Sequence, residues 1–130
     1  MADTYNIGAS TAQITLQADI VSIGVAGSRA SILNLASPDP GIPVAHSTDA
    51  SGNISQQSIG DYTTLKAMRL TVFTQIALLG SDAPTRAAEA PNCTGTYTIT
   101  GGDDGVQTFN DPINNYIDPF VYLTFVIDLT

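Results

Sequence analysis

Apolar and polar residues alternate along several stretches of the chain, most regularly near its end. In residues 120–129 every second position holds a large apolar residue: Val121, Leu123, Phe125, Ile127 and Leu129. Successive side chains of a strand point to opposite faces, so this spacing predicts a β-strand. Phe120, Tyr122 and Val126 would share the other face. We therefore expect this strand to be covered on both sides and the chain terminus to be tied into a sheet.

Residues 65–79 (LKAMRLTVFTQIALL) fit two patterns. Apolar residues recur at every second position from Met68 to Leu78, interrupted only by Thr74, which predicts a strand. Apolar residues also fall at helical spacing there, with Asp61 as an N-cap and Gly80 just past the end. We favour the strand, because the β-branched and aromatic residues at 71–76 pack better on a sheet than on a helix.

The remaining segments are shorter. Residues 13–20 read as a strand with one apolar face, and the change of phase at Ile20 and Val21 indicates a bulge or a change of covering partner. A short strand is expected at 30–35, and the prolines of 37–43 predict a loop. Residues 44–48 and 54–59 flank a Gly- and Asn-containing turn and predict a hairpin.

The second half of the chain contains further turn signals. Residues 81–92 allow at most one or two helical turns between Pro84 and Pro91. Residues 94–100 and 106–109 predict a hairpin around the glycines and aspartates of 101–105. An Asp-Pro-apolar motif occurs at 111–113 and again at 118–120, and the residues between are expected to form a polar loop.

Composition favours an all-β chain. Only 12% of residues are charged, and Lys66 and Glu89 are the single lysine and the single glutamate. Residues that populate exposed helix surfaces are therefore nearly absent. We predict a single domain over residues 1–130, an antiparallel β-sandwich of jelly-roll or immunoglobulin-like type with seven to nine strands and helix below about a tenth of the chain.

Charge limits the classes of partner. The net charge of −8 leaves too few basic residues to neutralise phosphates or an anionic membrane, so nucleic acid and membrane insertion are not expected. No apolar run is long enough to span a bilayer, and the first residues resemble no signal peptide. The compartment is left open.

Few residues suggest catalysis. His46, Ser47 and Asp49 are the residue types of a hydrolytic triad, but they lie too close together in sequence to form one without Ser51 or a distant serine. Cys93 is the only cysteine and is expected to be a small buried thiol. We therefore predict that the protein is not an enzyme, with a small hydrolase centred on His46 as the least favoured alternative.

The candidate metal site is acidic. Its residues are loop aspartates that could gather at one end of a sheet: Asp103, Asp104, Asp111 and Asp118. Ca²⁺ prefers such carboxylate oxygens. Aspartate before Pro or Gly also initiates turns, and we favour that interpretation.

The function predicted from these patterns is structural. Few charges and strands that are apolar on both faces leave more apolar surface than one sandwich can hide, which is typical of an interface. We expect a non-catalytic assembly protein that binds protein partners or itself as a homo-oligomer within a particle, filament or surface assembly. The alternative is a calcium-assisted, carbohydrate-binding, lectin-like module.

Overall fold

A computed structural model describes residues 3–37, 41–110 and 112–130 of the chain. It is 59% strand and 11% helix, and its two sheets form a β-sandwich, which confirms the predicted fold class. The described strands number ten rather than seven to nine. They are β1 Asp3–Tyr5, β2 Ile14–Val21, β3 Val25–Asn34, β4 Ile42–His46, β5 Ile54–Gly60, β6 Met68–Ala77, β7 Thr94–Gly102, β8 Gly105–Phe109, β9 Ile113–Ile117 and β10 Phe120–Leu129.

Short helical segments join some of these strands. Helix α1, Tyr62–Leu65, precedes β6, and helix α2, Ala83–Glu89, runs into a 3-10 turn at Ala90–Asn92 before β7. No helix in the described ranges is long and apolar enough to cross a membrane.

Sheet A, the larger sheet, has six strands in the order β1-β10-β6-β3-β4, with β9 also paired to β10. One edge of β10 is shared: β9 pairs with residues 120–124 and β1 with residues 127–129. The β1 pairing is parallel, whereas the other pairings of the sheet are antiparallel. Sheet B has four strands in the order β5-β2-β7-β8.

The core lies between the sheets and follows the predicted alternation. All five apolar residues of the β10 pattern are buried, as are Leu70, Val72 and Ile76 of β6. Tyr97 of β7 stacks on Phe125 of β10 with ring centroids 4.3 Å apart, which joins the two sheets at their centre.

The strand interpretation of residues 65–79 is confirmed for 68–77. Asp61 is indeed an N-cap, but of the four-residue helix α1, where its carboxylate accepts from the Thr63 N–H at 3.0 Å. The predicted short helix after Ser81 and the hairpin of β7 and β8 are also confirmed.

Three local predictions are wrong. Residues 44–48 and 54–59 do not form a hairpin, because β4 pairs with β3 in sheet A and β5 pairs with β2 in sheet B. Residues 114–116 belong to strand β9 rather than to a loop. The phase change after Ile20 marks the end of β2 at Val21 and a turn into β3, not a bulge within one strand.

A small polar group lies inside the core at the position that interrupts the β6 pattern. Thr74 is fully buried, and its hydroxyl lies 2.7 Å from the hydroxyl of Ser28 on β3. The nearby Tyr97 hydroxyl is buried too, and within the described residues it has no hydrogen-bond partner. A buried hydroxyl without a partner destabilises the folded state, so Tyr97 is retained at a cost.

Replacing Tyr97→Phe should raise the free energy of unfolding by about 1 kcal/mol at neutral pH, because it removes that hydroxyl and keeps the ring stack. Thr74→Val is the matched control: it removes the partner of Ser28 and should lower stability by about 1 kcal/mol. Urea denaturation measures both, and a loss of stability in Tyr97→Phe would contradict the assignment.

The burial of Tyr97 also leads us to expect a loss of stability at high pH. Burial raises the pKa of Tyr97 from 10.0 to about 12; the Thr74 hydroxyl acts in the opposite direction, although it lies close to the Tyr97 hydroxyl without reaching hydrogen-bond geometry. Between these values the unfolded chain loses the proton and the folded chain keeps it, so stability should fall by about 1.4 kcal/mol per pH unit. Tyr97→Phe lacks this contribution, so the already more stable variant should draw further ahead of the wild type above pH 10, and the two stability curves should diverge; parallel curves would argue against it.

Candidate interaction surface

Asp103 and Asp104 lie together in the turn between β7 and β8, beside the start of the chain. The Asp104 carboxylate accepts a hydrogen bond from the Asn6 N–H at 2.8 Å, and the Asp104 N–H donates to the Asn6 carbonyl at 3.2 Å. Asn6 follows Tyr5, which pairs with Leu129 at the end of β10. The Asp104 side chain and backbone therefore help to hold the N-terminal segment, which is part of sheet A, against the β7–β8 turn of sheet B.

Asp118 lies in the turn that starts β10, about 30 Å along the strand from the Leu129 end at 3.3 Å per residue. Its carboxylate receives two hydrogen bonds from Arg86 of α2, at 2.7 and 3.1 Å, and one from the Tyr116 hydroxyl at 2.8 Å. The Arg86 guanidinium, and then the Tyr116 hydroxyl, lower the pKa of Asp118.

The structure thus separates Asp118 from Asp103 and Asp104, while Asp111 lies outside the described residues. No group of three or more metal-ligating side chains occurs in the part of the chain that the structure describes. Calcium binding by the acidic loops stays a prediction, and the three described aspartates do not share a site.

His46, Ser47 and Asp49 are also not assembled as a triad. The Ser47 hydroxyl accepts from the Ser28 N–H at 2.9 Å, and Asp49 accepts from the Ser51 N–H at 2.9 Å. These bonds shape the connection from β4 to β5, and the Ser51 hydroxyl lowers the pKa of Asp49. His46 is exposed at the end of β4, beside an open depression of about 290 Å³ that includes Arg29 and Gln57.

Cys93 is buried, as expected, and burial raises the pKa of its thiol.

A more extensive feature is the outer face of sheet A, which faces away from sheet B. Its outward side chains can be identified because they alternate with the buried residues of the same strands. Strand registers place Val25, Ala77, Phe120 and Ile117 side by side across four strands. We call the apolar face the set Val25, Phe73, Ala77, Ile113, Ile117, Phe120 and Tyr122.

Aliphatic and aromatic side chains of the apolar face remain open to solvent. Ile113 is 68% exposed, Ile117 57%, Val25 49% and Phe73 37%. Phe73 stacks on Tyr122 at 5.7 Å, and Tyr122 lies 6.2 Å from Phe120, so the aromatic rings form a continuous row. Contiguous exposed apolar surface of this kind marks interaction sites.

The outer face of sheet B is polar by contrast. Its outward residues are mostly hydroxyl and amide side chains, among them Thr15, Gln17, Thr96, Thr98 and Thr100. The Thr15 and Thr100 hydroxyls bond to each other across the strands. Water can form hydrogen bonds with such residues. The outer face of sheet B is therefore stable in contact with water, whereas the apolar face of sheet A is favoured by burial against another surface.

The apolar face also carries little charge. Among the outward residues of the described strands β3, β6, β9 and β10, Asp128 is the only acid, and it forms an ion pair with Arg69 at 2.7 Å. Arg29 is the other charged residue there. In a chain of net charge −8, this face therefore offers little repulsion to a second acidic molecule.

A depression of about 390 Å³ opens on the apolar face between β3 and β6. It is lined by Val25, Ala26, Gly27, Gln75 and Ala77. Gly27 lacks a side chain, and a Cβ added there would meet nothing within 4 Å. The face therefore has a recess over β3 and protruding isoleucines on β9.

Helix α2 fixes the strand that carries those isoleucines. Besides bonding Asp118, Arg86 donates to the Gly80 carbonyl at 2.9 Å. Asn114 of β9 donates to the carbonyls of Ala90 at 3.1 Å and Cys93 at 3.3 Å. These bonds anchor β9 and its turn, and so hold Ile113 and Ile117 in place.

The sequence indicated this surface only in part. The apolar second faces of β6 and β10 were visible through Phe73, Phe120 and Tyr122, whereas β9 was missed because Asn114 and Asn115 interrupt the apolar pattern of a short segment. Comparison with known proteins adds no identity: no protein-family model, curated protein or solved structure matches this chain.

The placement of the acidic residues predicts a weak response to calcium. Millimolar Ca²⁺ should shift the melting temperature by less than about 1 °C relative to chelator, since a ligand raises stability only when it binds the folded state preferentially. Asp104→Asn should lower the melting temperature equally with and without Ca²⁺, because it weakens the bond to Asn6. A rise of several degrees that Asp104→Asn removes would show a metal site.

Proposed function

We propose that the protein is a non-catalytic structural subunit that self-associates, and that the apolar face is its contact surface. The observation that carries the proposal is the contrast between the two outer faces: the face of sheet A exposes aromatic and aliphatic side chains, whereas that of sheet B exposes hydroxyl and amide groups. Burying the apolar face against another subunit removes that surface from water, which favours association.

The size of the face, in projection, is about half of what each partner buries in a standard interface. With strands about 4.8 Å apart and outward side chains about 6.7 Å apart along each strand, β3, β6, β10 and β9 present on the order of 400 Å² in projection. The accessible area of protruding side chains exceeds this projection. A standard interface uses about 800 Å² per partner, so the face could supply much of one.

Larger assemblies require a second contact surface, because a pair of identical faces closes at two subunits. Val21, Ile23 and Leu79 are exposed around the turn between β2 and β3 and beyond the end of β6. We propose this end of the sandwich as the second contact of a particle or filament.

The alternatives have less support. A lectin-like module would use the acidic loops, but Asp118 is engaged by Arg86 far from Asp103 and Asp104. A hydrolase would use His46, but the nearby Ser47 and Asp49 bond to backbone and to Ser51.

Self-association predicts a mass that rises with protein concentration in light scattering. Gly27→Lys should weaken the association constant by about tenfold or more, which corresponds to about 1.4 kcal/mol. The added side chain has space at Gly27 and should leave the fold intact, but it places a charge on the apolar face, next to Val25 and Gln75.

Val106→Lys is the matched control, since Val106 is an exposed apolar residue outside the apolar face: it lies on β8 of sheet B and is 68% exposed. It adds the same charge and should leave association unchanged. A monomer at all concentrations, or equal weakening by both variants, would contradict the proposal.

A further inference from the structure

The two central strands of the apolar face, β6 and β10, have complementary outward residues at matching levels. A small residue lies beside a large one, or a cation beside an anion. These cross-strand pairs are Ala77 with Phe120, Phe73 with Thr124, and Arg69 with Asp128. The side chains of the remaining outward pairs, Gln75 with Tyr122 and Thr71 with Val126, differ less in size and charge.

This arrangement is self-complementary under one particular symmetry. A twofold axis that runs along the strands, midway between β6 and β10, would place β6 of one copy over β10 of the other at the same level. Each outward residue would then face the counterpart of its own cross-strand neighbour. Phe120 would face the Ala77 position, and Arg69 would face an Asp128, so large residues meet small ones and opposite charges meet.

The same axis carries β9 of one copy over β3 of the other. Ile117 lies at the level of Val25, and Asn115 lies at the level of Gly27, because both pairs share their registers through β10 and β6. The protruding edge strand would therefore lie over the depression that Gly27 leaves open. Recess and protrusion occur on one surface at equal distance from the axis.

We propose that the partner of the apolar face is a second copy of this chain, docked face to face about that axis. This inference rests on the proposed function and specifies its geometry. The paired size and charge contrasts fit an identical surface, and an unrelated partner would not require recess and protrusion to lie symmetrically about one line. The small number of acids on the face also permits the approach of an equally acidic copy.

The test uses two single-cysteine variants, Val25→Cys and Ile117→Cys, mixed and treated with a bismaleimide that spans about 10 Å, the usual spacing of packed sheets. Within one copy these positions lie three strands, or about 14 Å, apart laterally. In the proposed dimer Val25 of one copy faces Ile117 of the other.

The mixture should give a covalent dimer on a denaturing gel. Each variant alone should give at least tenfold less, since identical positions lie about 17 Å apart across the axis at these spacings. A mixture of Val25→Cys with Val106→Cys is the matched control and should not cross-link. The buried Cys93 of the unaltered chain gives the background.

The outcomes separate the two proposals. Cross-linking confined to the Val25→Cys and Ile117→Cys mixture supports the twofold arrangement. Association that Gly27→Lys weakens, without this cross-link, would overturn the arrangement and leave the proposed function standing. A chain that stays monomeric in light scattering and gives no cross-link would overturn both.

Discussion

The alternation of β6 and β10 makes both faces of sheet A apolar, and the rest of the account depends on that constraint. One face is buried against sheet B, where the stack of Tyr97 on Phe125 joins the sheets. The other face carries Phe73, Tyr122 and Phe120 and has no sheet over it among the described residues. Apolar surface in contact with water favours any contact that removes it, so a sheet of this kind favours association.

The distribution of charge is compatible with association through the apolar face. The described acids lie mainly in turns, at helix caps and on the edges of the sandwich, where Asp61 and Asp82 cap helices and Asp104 bonds to Asn6. On the outer face of sheet A, beyond the apolar face, Asp128 is neutralised by Arg69. The net charge thus keeps most of the surface hydrated and makes two copies of the chain repel each other there. The apolar face lacks this repulsion and can contact the same face of a second copy.

The buried elements could be predicted from the sequence because their signal is local. The alternation in 120–129 identifies β10, and β-branched residues decide between strand and helix at 68–77. The connection from β4 to β5 was mistaken for a hairpin because a turn between two short polar segments does not reveal that the strands enter different sheets. Polar Asn114 and Asn115 concealed β9, which is a strand because it pairs with β10 and because Asn114 bonds to the turn after α2.

The candidate surface required the strand order. Val25 and Ile117 are far apart in sequence, and only the pairing of β3, β6, β10 and β9 places them at one level. The recess at Gly27 is equally invisible in the sequence, since a glycine in a strand is open or crowded according to its neighbours. The acidic loops, in contrast, are conspicuous in the sequence, yet the fold places Asp118 far from Asp103 and Asp104.

The most direct test of the central claim is a dilution series followed by methyl NMR on isoleucine-, leucine- and valine-labelled protein. If the apolar face is covered by another subunit, the methyl signals of Val25, Ile113 and Ile117 should shift together as the protein is diluted. Those of the exposed Val106 and Leu35, which lie outside the face, should not move. Signals of the apolar face that do not change with concentration, or changes confined to Val106 and Leu35, would contradict the account.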